Sequence, residues 1–72
     1  MNNQHETSQE LVGQVLEDLL QECTLFDILL GISKYLSSKE NKAFSLHRVM
    51  LGDRYRTIAQ YVRRASSLAV EV

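Results

Sequence analysis

LFDILLGISKYL, Leu25 to Leu36, is apolar nearly all the way round when wound as a helix. Leu25, Phe26, Ile28, Leu29, Leu30, Ile32, Tyr35 and Leu36 leave one narrow polar line through Asp27, Gly31, Lys34 and Ser38. Those four recur at helical spacing, so they stack along a single side. A helix with so little polar surface needs partners on more than one side. The stretch therefore implies an all-α protein in which further helices, or a second chain, cover it.

Upstream, Thr7 and Glu10 have the T-x-x-E form of a capping box, which places a helix start at about Ser8. Leu11, Val12, Val15, Leu16, Leu19 and Leu20 then repeat at three- and four-residue intervals. They make one broad apolar face, opposite Gln14, Glu17, Asp18 and Gln21. Near Glu22 the phase changes. Thr24 can cap the next helix through the amide of Phe26 or Asp27, and Asp27 sits where the helix dipole favours an anion. So short a link predicts an antiparallel N-terminal helical hairpin.

Downstream, Ser37–Lys42, SSKENK, is polar and turn-prone and is expected to be the main exposed loop. Ser45 can cap a short helix, with Phe44 and Val49 placed as a hydrophobic staple. Gly52–Asp53 is expected to break it, or to lie within it as a kink. Leu51, Tyr55, Ile58, Val62, Ala65 and Ala69 then alternate at four and three residues, an a/d-like seam suited to packing on another helix. Arg56, Gln60 and Arg63 fall on a different side, expected to be solvated.

The expected organisation is a flexible N-terminus over 1–7, one helical domain over 8–66 and a frayed tail over 67–72. Within the domain, helices are expected at about 8–22, 25–37, 46–51 and 54–66. They form a small bundle of three to four short helices, an N-terminal antiparallel hairpin plus a C-terminal basic helix, completed by dimerisation.

Length and composition make dimerisation the natural supplement. Seventy-two residues supply a lone core worth roughly 3–5 kcal/mol unless a disulfide, metal or second subunit helps. Cys23 is the single cysteine, and His5, Cys23 and His47 lack the short ligand spacings of a zinc site. With 44% hydrophobic and 24% charged residues and no proline, the composition belongs to a folding chain. The first residues lack the basic and apolar regions of a signal peptide, no run approaches a membrane span, and the lone thiol suits a reducing cytoplasm.

Net charge is −1, but it is unevenly shared. Residues 1–40 carry −5 and residues 41–72 carry +4. Opposite halves of this kind attract within a fold or across a dimer.

No nucleophile, base and orienting group are brought together by spacing, so catalysis is not expected, nor a cofactor or a small-molecule substrate. The expected function is that of a small non-enzymatic interaction or regulatory protein, pairing with itself and with another protein through helix surfaces. Phe26, Leu30, Gly31 and Tyr35 are its interface candidates, with Gly31 permitting close helix approach. The alternative is a DNA- or RNA-binding regulator using Arg48, Arg54, Arg56, Arg63 and Arg64. Against it stand the slightly acidic total charge and a two-residue Gly52–Asp53 turn, too short for a helix-turn-helix.

Overall fold

The computed structural model describes residues 4–71, with the side chains of residues 7–70. It contains three helices, α1 (Gln4–Leu20), α2 (Leu25–Ser45) and α3 (Val49–Leu68), followed by a 3-10 turn, Ala69–Glu71. The protein is an all-α small bundle.

The start of α2 follows directly from its residues. Thr24 is extended (φ −86°, ψ 164°), and its Oγ1 accepts from the Asp27 amide at 3.1 Å. The Asp27 carboxylate accepts in return from the Thr24 amide at 3.3 Å. This reciprocal box satisfies two amides that the helix itself leaves without partners. Asp27, Gly31, Lys34 and Ser38 are all exposed, so the narrow polar line lies where the spacing put it.

Several expected boundaries are corrected. α1 already includes Thr7, which therefore does not cap it; residues 1–3 lie outside the described residues. α2 does not stop at Leu36 or Ser37 but continues through SSKENK to Ser45. Lys, Glu and Asn lack the breakers Gly and Pro, and Lys and Glu are good helix formers. Ser37 and Glu40 are also held from across the helix pair: the Ser37 hydroxyl accepts from Arg63 Nη2 at 3.3 Å, and Glu40 Oε2 accepts from Arg56 Nε at 3.1 Å.

Ser45 is the last residue of α2, not the cap of a new helix. The chain turns at Leu46–Arg48 through a Schellman motif. The Arg48 amide donates to the Ala43 carbonyl at 2.8 Å, and the His47 amide donates to the Phe44 carbonyl at 2.9 Å. The residue in the left-handed region is His47, with φ 61°. Glycine usually fills this position, and its absence hides the turn from the sequence.

α3 then runs unbroken through Gly52 and Asp53. Gly52 is buried, and a Cβ built on it would lie 2.7–2.8 Å from ring atoms of Phe44. The glycine lets α3 pass close beneath an aromatic ring of α2. Gly31, expected to permit close approach across a dimer, faces open space within the single chain. Gly52, Ala59 and Ser66 are the buried residues of α3, each seven positions from the next. With half-buried Tyr55 and Val62, and buried Ala69, they form the seam actually used. Ile58 and Ala65, expected in the seam, are exposed. Small side chains displaced bulky ones because they allow the two backbones to come together.

The antiparallel pair is thus α2–α3: Phe44 meets Gly52, Glu40 meets Arg56 and Ser37 meets Arg63. The expected hairpin of α1 with α2 is not the paired unit, since α1 makes no more than marginal contact with either helix. α3 takes the α2 face lined by Ser33, Ser37, Glu40 and Phe44, while α1 diverges beyond the Gln21–Thr24 connection. The 3-10 turn, expected to fray, instead buries Ala69 against the end of the pair.

The molecule is flat. Its principal extents are 40 × 38 × 17 Å, and a helix with its side chains is about 10–12 Å across. Its radius of gyration, 14.5 Å, compares with about 11 Å for a compact chain of this length. Among the described residues the buried apolar side chains are Ile28, Ala43, Ala59 and Ala69, three of them alanine.

Two stability tests follow. Gly52→Ala gains up to about 1 kcal/mol of helix propensity but overpacks the Phe44 ring at a cost of about 1–3 kcal/mol. It should be destabilising overall, and chemical denaturation of the Gly52→Ala/Phe44→Leu cycle should give a coupling energy of about 1–2 kcal/mol. Additive effects would mean the ring does not press on the glycine. His47→Gly should raise stability by about 0.5–1 kcal/mol by relieving the left-handed backbone, whereas His47→Val should lower it.

Candidate helix-docking groove

α1 carries its apolar stripe into solvent. Leu11, Val12, Val15, Leu19 and Leu20 are each between 41% and 58% exposed, although their spacing is that of a buried helix face. Leu16 is half-buried. Where α1 diverges from α2, the two helices bound an open groove of about 420 Å³. Leu16, Leu19 and Cys23 line one wall, and Ile28, Gly31, Ile32 and Tyr35 the other, with Asp27 near the connection. Ile28 is itself buried, whereas Ile32 and Tyr35 remain exposed. Cys23 is a half-buried free thiol whose Sγ lies 3.3 Å from the Leu19 carbonyl oxygen.

The four interface candidates divide between two faces. Gly31 and Tyr35 line the groove, but Phe26 and Leu30 are half-buried and lie elsewhere. Gly31 is about 140° round the helix from Phe26, at 100° per residue. The groove residues missing from that set are Asp27, Ile28 and Ile32 on α2 and Leu16, Leu19 and Cys23 on the N-terminal side. The signal for them was the amphipathic stripe of α1, which sequence reasoning assigned to an intramolecular hairpin.

α3 also exposes apolar side chains away from α2, namely Met50, Ile58, Tyr61 and Leu68. This surface is one convex helix face, without a second wall.

The five arginines do not assemble on one side. Arg56 and Arg63 share the rim facing α2, seven residues apart; both are exposed, as expected, and each also reaches a side chain of α2. Arg56 bonds Glu40, approaches Asp53 at 3.9 Å and places its guanidinium 5.1 Å from the Phe44 ring centre. Arg54 lies about 160° round α3 from Arg56. Arg64 is nearer Tyr61, 5.8 Å from its ring centre, and Arg48 belongs to the turn. A continuous phosphate-facing stripe is not formed by these residues.

Among the described residues, no three His, Cys, Asp or Glu side chains are grouped to hold a metal ion, and no helix is long and apolar enough to cross a membrane. The chain matches no family model, no curated protein and no solved structure.

Because the Arg56 side chain is 52% exposed, its rim contacts are screened and contribute little. Replacing Arg56 and Arg63 together with Gln should lower stability by no more than about 1 kcal/mol. Denaturation at low and high salt checks this, and the difference should shrink as salt rises.

Proposed function

We propose that the protein is a small non-enzymatic interaction or regulatory protein that works through helix surfaces as a homodimer. The observation that carries the proposal is the unpartnered apolar surface of α1 and the groove beside it. Its accessible surface is 5939 Å², whereas a compact chain of 8.3 kDa exposes about 4,600 Å². The excess, roughly 1,300 Å², is larger than the ~800 Å² that each partner contributes to a standard protein interface. The exposed stripe Leu11, Val12, Val15, Leu19 and Leu20 contributes to that excess, and contiguous exposed apolar surface is characteristic of docking sites. The half-buried, unpaired Cys23 supports a reducing cytoplasmic setting.

Most helical stability in proteins comes from tertiary packing, of which α1 has little, and Gly13, Val12 and Val15 weaken the helix further. A partner that covers α1 would stabilise the helix itself. Dimerisation supplies such a partner without another gene product, and leaves the outer face of α3 for a different protein.

The decisive measurement is solution mass by light scattering across protein concentration. The expected result is a species of twice 8.3 kDa, shifted toward monomer by Val15→Asp or Ile32→Asp, each of which puts an unpaired charge into the covered surface. A wild-type protein that stays monomeric at high concentration would overturn the homodimer.

A further inference from the structure

The groove has two apolar walls and the molecule carries one amphipathic helix without a partner. Their charges are complementary. Residues 1–23 contain five acids and no lysine or arginine, giving −5, and residues 24–72 give +4. On α1 the acids include Glu10, Glu17 and Asp18, which lie outside the apolar stripe. On α2 the line of groove residues Ile28, Ile32 and Tyr35 is continued toward the C-terminus by Lys39 and Lys42, with Lys34 to one side. The ion pairs among the described residues both belong to Arg56, so none of these lysines has a described carboxylate within 4.0 Å.

We propose that the groove is filled by α1 of a second copy, the two chains exchanging their first helices about a twofold axis. This inference rests on the homodimer proposed above and names the element that makes it. Each α1 lies between the α1 and α2 of its partner, so the apolar stripe on both is covered. The acidic helix comes to rest over the lysine-bearing length of the other chain. The interface is isologous, as a twofold requires, because each copy gives one helix and receives one. The apolar contacts supply the area, while the charges select an exchanged helix over other pairings. The α3 outer face is the weaker seat for α1, since one convex face covers less of the stripe than two walls do.

A charge-swap experiment on the full-length chain tests this at low ionic strength, where screening is weak. One variant carries Glu10→Lys, Glu17→Lys and Asp18→Lys; the other carries Lys34→Glu, Lys39→Glu and Lys42→Glu. Helicity by circular dichroism verifies that each still folds, and light scattering gives the mass. Each alone should dimerise at least about tenfold more weakly than wild type, because the exchanged helix and the surface that receives it then carry the same sign of charge. An equimolar mixture should recover a heterodimer at wild-type strength, since both exchanged contacts are again between opposite charges.

Three results would overturn the exchange. If a chain carrying both sets of changes recovers wild-type behaviour while the mixture gives no heterodimer, α1 folds back on its own α2. If both variants dimerise as wild type does, the homodimer stands but is made by other surfaces. If the wild type is monomeric, the homodimer and the exchange fall together.

Discussion

The close passage of α3 under Phe44 is the contact on which the rest of the molecule depends. It requires a residue without a side chain at position 52, since a Cβ there would lie 2.7 Å from the ring. Ala59 and Ser66, at successive heptad steps beyond it, are the other buried residues of α3 and continue the line of small side chains along the pair. Once the backbones are that close, the rim of the seam is set. Glu40 and Ser37 come within reach of Arg56 and Arg63. Polar residues that would otherwise have been a solvated loop are thereby drawn into helix.

The same contact explains why the molecule is open elsewhere. A seam of Gly, Ala and Ser brings two helices together but removes little apolar area from water, because burial scales with the surface covered. The larger apolar side chains of α1 and of the outer α3 face stay outside it. A pair of helices forms a single layer, and a stable core normally needs two. The thin dimension of 17 Å is the geometric expression of that shortage. Folding of the pair and covering of α1 are therefore separate problems, and the second has no intramolecular solution in this arrangement.

Much of the fold was legible because it rests on local chemistry. Thr24 caps α2 through the Asp27 amide, as its place before the apolar run implied, and the structure adds the reciprocal bond to the Asp27 carboxylate. The polar line at Asp27, Gly31, Lys34 and Ser38 required only the helical period. What escaped depends on contacts distant in sequence. Glycine carries two meanings, breaker and close approach, and only the ring of Phe44 decides between them at Gly52. His47 adopts the left-handed conformation without the glycine that usually announces it. The seam was placed by hydrophobicity on Ile58, whereas size complementarity placed it on Ala59, one residue later. Of the candidate site, the apolar surplus was legible but not its location, because Phe26 and Tyr35 look equivalent until the neighbours of α2 are known.

Charge segregation gains a different meaning in this geometry. An acidic N-terminal part and a basic remainder normally fold against each other, each neutralising the other within one molecule. Here the connection at Gln21–Thr24 leads the acidic helix away from the lysines of α2, and among the described residues no ion pair joins the two. Lys39 instead sits with its ammonium 6.0 Å from the Tyr35 ring centre, at the far end of the open wall. Apolar area and charge are thus unsatisfied at the same place and with the same polarity of need: an acidic, amphipathic helix. The chain itself contains that helix. In the exchange proposed above, that one element would close both deficits, and would do so twice across a twofold.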